Sequence, residues 1–169
     1  MSVVVVVEKQ KDKIVLCSDS CISYGYQKIT DSTISNKLFS VDNVYCGVCG
    51  SLSEANYFRY FLKTHKPATA TEDAIMDLMV DFKMWKNEKM KEATEPTNDY
   101  IFVYDDKIFW ICNMTVNEIK DKFAIGCGAM AATGALLAGV DAEEATKIAM
   151  ECINYVDGKV IKYEIPYKE

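Results

Sequence analysis

At 169 residues, half of them hydrophobic and 26% charged, the chain has a globular composition and can bury about two-thirds of its unfolded surface. It carries 19 Lys and Arg against 25 Asp and Glu, a net charge of -6, and a single arginine, Arg59. That balance argues against nucleic acid as a main partner, because phosphate binding needs clustered cations.

The first predicted element is a hairpin from Ser2 to Asp19. Two apolar runs, each the length of a buried strand, flank Lys9-Gln10-Lys11-Asp12. A turn centred on Gln10 and Lys11 sets Val7 opposite Ile14, Val5 opposite Leu16 and Ser2 opposite Asp19. A polar loop with a short strand follows from Ser20 to Ile34. Lys37 to Val41 and Val44 to Cys49 read as strands about an Asp42-Asn43 turn. Ser51 with Glu54 forms a capping box for a helix to about His65, and Thr69 with Glu72 opens a second. Ile75, Leu78, Met79, Phe82 and Trp85 give that second helix its apolar stripe, which fades from Lys86 to Glu92.

Strands return at Tyr100 to Tyr104 and Lys107 to Ile111 about a two-residue Asp105-Asp106 loop, then near Phe123 to Cys127. Gly126-Cys127-Gly128 leads into an alanine-rich helix, Ala129 to Ala138, which Gly139 stops. Asp141 and Glu144 cap a last helix with Ala142, Ala145, Ile148, Ala149 and Cys152 on one face. Asp157-Gly158 turns the chain into a closing strand, Lys159 to Ile165. No linker or repeat interrupts residues 1–169, so one domain is expected. Paired helices and hairpin-linked strands predict an α+β fold: two antiparallel sheets with a helix pair outside each, a four-layer α-β-β-α sandwich. The near-continuous apolar strands fit sheets covered on both faces.

The longest pure apolar run, Val3 to Val7, is too short to span a bilayer, so no membrane partner is expected. No basic region precedes that run and no cleavage pattern follows it, so no signal peptide is expected. Seven cysteines without framework spacing point to reduced thiols and a cytoplasmic location. Cys46-x-x-Cys49 has the spacing of a redox pair but lies in an apolar strand, and small core residues are the better reading. Tyr57, Phe58, Tyr60 and Phe61 crowd several sides of one short helix, more than a single buried face requires, which hints at a subunit contact.

Ser2, the Cys17-Ser18-Asp19 strand end, Lys37-Leu38-Phe39-Ser40-Val41-Asp42, Cys46-Gly47-Val48-Cys49-Gly50 and Gly126-Cys127-Gly128 resemble, in one register, the proteasome β-subunit and its bacterial relative HslV. These are N-terminal-nucleophile hydrolases. The resemblance implies a peptidase in a self-compartmentalised homo-oligomeric ring, acting on peptide or unfolded protein. It implies no cofactor and no metal, and leaves room for an ATP-dependent unfoldase as a partner. Carried over by position, Ser2 is the nucleophile, Asp19 and Lys37 are the family's aspartate and lysine beside it, and Gly47 is the oxyanion donor. Cys127 takes the place of the family serine in Gly-Ser-Gly, and Ser23 and Cys49 are substrate-binding positions.

The chemistry is coherent. A serine hydroxyl needs an adjacent base, and an α-amine with a pKa of about 8 can serve once Met1 is removed. A neighbouring Lys37 would lower that pKa further, and Asp19 would keep the lysine charged. One oxyanion donor is worth roughly 3 kcal/mol of barrier. A retained Met1 would block the amine. The alternative is then a catalytically inactive ring or scaffold subunit, which Cys127 and the Asn154 and Asp157 that precede Gly158 favour.

Overall fold

The computed structural model describes residues 3–24, 26–30, 37–91 and 93–167. Strands β1 (Val4–Lys9) and β2 (Lys13–Asp19) open the chain, followed by a small hairpin of β3 (Ile22–Tyr24) and β4 (Gln27–Ile29). Next come β5 (Leu38–Val41), β6 (Val44–Cys49), α1 (Leu52–Phe61) and α2 (Glu72–Met90). The second half runs β7 (Asp99–Tyr104), β8 (Lys107–Cys112), β9 (Thr115–Ile119), β10 (Lys122–Gly126), α3 (Ala129–Leu137), α4 (Ala142–Cys152) and β11 (Val160–Pro166).

Two antiparallel sheets form, ordered β10-β1-β2-β11 and β5-β6-β7-β8-β9. Three apolar clusters separate four layers. α1 and α2 pack on the second sheet through Phe58, Phe61, Ile75, Met79 and Phe82. α3 and α4 pack on the first sheet through small residues, Ala132, Ala145 and Ala149 among them. Between the sheets lie Val5, Leu16, Leu38, Ile101 and Ile108. The expected α-β-β-α sandwich is the observed one. Strand β1 shows why its sequence does not alternate: Val4 and Val6 face the helices while Val3, Val5 and Val7 face the other sheet.

The hairpin register differs from the expected one. Gln10 N–H donates to Lys13 O at 2.8 Å, so the turn centres on Lys11 and Asp12, and Val5 pairs with Ser18 and Val7 with Leu16. Shifting the turn by one residue slides the ladder by two. An even slip keeps every side chain on its predicted face, but it carries Val4, rather than Ser2, to the level of Asp19.

Other differences are local. α2 begins two residues later than expected, with the Thr71 hydroxyl accepting from Ala74 N–H. α1 stops at Phe61, and its Ser51 cap accepts from Glu54 N–H. The Glu54 side chain turns inward instead of closing the box: it accepts from Thr97 N–H, Asn98 N–H, the Tyr100 hydroxyl and the buried Lys86 ammonium. Strand β9 was not expected. Its residues alternate only weakly at a sheet edge, and the Asn113-Met114 turn, with φ of 48° and 59°, has no turn-forming glycine to mark it.

Candidate active site

One polar cluster of the interior gathers where β1 begins. Asp19 ends β2, and its carboxylate is fully buried. Oδ1 accepts from Val4 N–H at 3.0 Å. Oδ2 accepts from Lys37 Nζ at 2.7 Å and from the N–H groups of Cys21 at 3.1 Å and Asp157 at 3.3 Å. Lys37 comes from the other sheet, immediately before β5, where its carbonyl accepts from Val48 N–H. Its side chain is as fully buried as the carboxylate it meets. Two charges without water between two sheets are costly unless every lone pair is used, and Asp19 uses both oxygens.

Gly126-Cys127-Gly128 wraps the backbone of Val3 from the other side. The Cys127 thiol accepts from Val3 N–H at 3.3 Å and donates to Val3 O at 3.4 Å, while Gly128 N–H donates to the same carbonyl. Gly126 has φ +96°, and a Cβ there would collide with Val3 O. Close approach to the strand therefore requires glycine at this position. Cys127 itself is exposed.

The structure thus brings Asp19, Lys37 and Cys127 together around the start of β1. Ser2, the expected nucleophile, lies outside the described residues. What the cluster holds directly is the backbone of Val3 and Val4, and the Val3 side chain is fully buried between the sheets.

Gly47 is a ladder residue, paired with Leu38 on β5 and Ile101 on β7. Val48 N–H points to β5, so strand alternation turns the N–H of Gly47 toward β7. Its missing side chain serves packing, because a Cβ would strike Val5 Cγ1 across the inter-sheet gap. Gly50 is a residue to which the sequence assigned no role. It stands just beyond the ladder at φ +136°, with Asn98 filling the space its Cβ would need. Asn98 fastens that turn by bonding both the N–H and the carbonyl of Ser51. The signal in the sequence was the Gly-Ser step before the capped helix.

Ser23 is exposed on β3, opposite Lys28. Lys28 forms an ion pair with Asp157, the residue whose N–H reaches Asp19. Cys49 is partly buried between the sheets, and burial, then the Asp99 charge, pushes its thiol up to about 11. Cys46, three residues away on the same strand, faces the helices, and burial raises its pKa well above the ordinary value. Opposite faces rule out a Cys46–Cys49 redox pair, and both are free thiols. Among the described residues no group of three or more His, Cys, Asp or Glu could hold a metal ion, and no helix is long and apolar enough to cross a membrane.

No protein-family model and no curated protein sequence matches the chain. Solved structures do. BPH of Thiobacillus denitrificans in complex with epoxomicin superposes with a TM-score of 0.83 at 19% identity, over 98% of this chain and 100% of that one. A second BPH structure gives 0.82 at 18% identity, covering 98% of each chain. HslV from Trypanosoma brucei gives 0.74 at 18% identity, over 97% of this chain and 99% of that one. At such identities the likeness speaks for architecture, and over the whole chain that architecture is the proteasome-like N-terminal-nucleophile hydrolase fold.

Proposed function

We propose that the chain is a subunit of a proteasome-like homo-oligomeric ring and hydrolyses peptide bonds with Ser2, freed by removal of Met1, as its nucleophile. The observation that supports this reading is the buried Asp19–Lys37 pair beside the first residues of β1. A buried ion pair seldom adds net stability over an apolar pair, so its presence at the chain start favours a task in chemistry. The Ser2 hydroxyl attacks the peptide carbonyl and its proton passes to the Ser2 amine. That amine returns the proton to the leaving amine, and water hydrolyses the resulting ester. Lys37, anchored by its 2.7 Å ion pair with Asp19, supplies a positive charge beside the start of β1. Cys127 positions the chain start through Val3. The oxyanion donor moves from Gly47, whose N–H belongs to the ladder, to Gly50 beyond it. Ser23 and Cys49 flank the bound peptide. Seven free cysteines support a reducing, cytoplasmic compartment, and an unfoldase that feeds the ring fits the same reading.

A second reading, an inactive ring or scaffold subunit, is favoured by one observation: the residue gripped by Cys127 is a valine without a hydroxyl. Intact-mass measurement on protein from its native source, with and without epoxomicin, separates the two. Loss of Met1 and one adduct mapped to Ser2, absent in Ser2→Ala, is the result expected of the hydrolase. Retained Met1, or a free Ser2 that takes no adduct and cleaves no peptide, overturns it and leaves the scaffold.

A further inference from the structure

On the outer face of the molecule, away from the Asp19–Lys37 cluster, α1 and α2 enclose an open groove of about 680 Å³. Three aromatic rings form its floor. Trp85 of α2 lies edge-on to Tyr57 at 6.3 Å and tilted against Tyr60 at 5.9 Å. Phe58 and Phe61, the other aromatics of α1, are buried in the core, whereas Tyr60 is 62% exposed. The groove walls carry charge of one sign. Arg59 stands on α1 and Lys89 on α2, and no carboxylate lines the space among the described residues. Lys63 adds a third cation, 5.5 Å over the Tyr60 ring.

This polarity runs against the molecule as a whole, which has a net charge of -6 and places its only arginine here. Arg59 and the lysine at position 89 each sit in the last turn of a helix, where carbonyl dipoles favour cations. That accounts for the charges taken singly. It does not account for Tyr60, left exposed beside the half-buried Tyr57 and Trp85, since an exposed aromatic ring beside arginine is a usual anchor of a recognition surface.

We propose that this groove docks an extended segment of a partner protein in which an aromatic residue stands between two acidic ones. The ring would lie on Tyr60 and Trp85. One carboxylate would take the planar guanidinium of Arg59 and the other the ammonium of Lys89 on the opposite wall. Cations on facing walls suit two separated anions better than one, and the volume is in the range of sites that hold a few side chains. The proposal does not depend on the reaction at Ser2.

The test is fluorescence anisotropy with a fluorescein-labelled, C-terminally amidated Gly-Glu-Phe-Glu-Gly peptide and the full-length protein. Control peptides carry Gln for both Glu residues, or Gly for Phe. Saturable binding is expected to weaken about tenfold in Arg59→Gln or Lys89→Gln, as loss of one charge-assisted bond requires, about a hundredfold with the Gln peptide, which loses both, and about tenfold with the Gly peptide, which loses the ring contact. Tyr60→Ser, at the most exposed ring, is expected to weaken it too, and Ser2→Ala to leave it unchanged. Circular dichroism on each variant separates lost binding from lost folding. No saturable binding, equal affinity for the Gln peptide, or an unaltered affinity in Arg59→Gln overturns the proposal. Self-association that Arg59→Gln abolishes, without peptide binding, also overturns it and assigns the groove to a second copy of the chain.

Discussion

Asp19 and Lys37 meet at 2.7 Å across the two sheets with neither side chain reached by solvent, and the same carboxylate holds the Val4 N–H. One ion pair therefore ties three elements together: the start of β1, the end of β2 and the entry to β5. Whatever the chain does at Ser2, this pair determines how its beginning is seated.

Removing one partner should be severe. Lys37→Met leaves a buried carboxylate with its principal counter-charge gone, and the expected loss is about 3–5 kcal/mol in urea unfolding. Lys120→Met, at a lysine whose side chain is 80% exposed, should stay within about 0.5 kcal/mol. Similar small losses for both variants would mean that the pair carries little of the fold.

Gly47→Ala should cost about 1–3 kcal/mol, because the added methyl strikes Val5 Cγ1 in the inter-sheet core. Combining it with Val5→Ala should recover part of that loss, since the second change removes the atom that is struck. A double-mutant cycle with no coupling energy would refute the collision.

The seven thiols should react in an order set by burial. Iodoacetamide at neutral pH is expected to label the exposed Cys127 and Cys152 first, read by peptide mass spectrometry. Cys17, pushed up to about 12, and Cys49, at about 11, should stay unlabelled in the folded protein, as should the fully buried Cys46. Early labelling of Cys46 would show that β6 opens.

The Lys28–Asp157 pair should make stability fall in acid. Its hydrogen bond from Lys28, and then the Gly158 N–H, hold Asp157 below its ordinary value. The stabilisation is therefore present above the usual carboxylate pKa and lost as pH falls through that range toward the depressed folded value. Lys28, raised chiefly by the same bond, loses its contribution only as pH rises past the ordinary lysine range. Lys28→Met should thus lower the melting temperature near pH 6 by a small amount, and by less near pH 2.5. An equal shift at both pH values would place the effect outside the ion pair.

Much of the fold was legible because local rules and burial agreed. Caps at Ser51 and Asp141, the Asp105-Asp106 turn and the apolar stripe of α2 all act within a few residues. Of the candidate site, the sequence named Asp19, Lys37 and Cys127, which converge on the start of β1, and Gly47, which lies in the ladder with its N–H turned toward β7. Lys86 lay where the apolar stripe of α2 was read as fading, and it is buried against Glu54. A helical lysine shows in sequence only its charge, and its partner is 32 residues away.

From its sequence alone the chain declared its layers: period-two and period-3.6 patterns state which faces are apolar, and apolar faces must cover one another. The tertiary structure decided the two-residue slip that brings Val4 to Asp19, the pairing of β1 with β10 that delivers Cys127 to Val3, and the groove left open between α1 and α2. Those depend on where turns close and on contacts more than 100 residues apart, such as that between Val3 and Cys127. No local preference encodes such distances, so the packed chain alone resolves them.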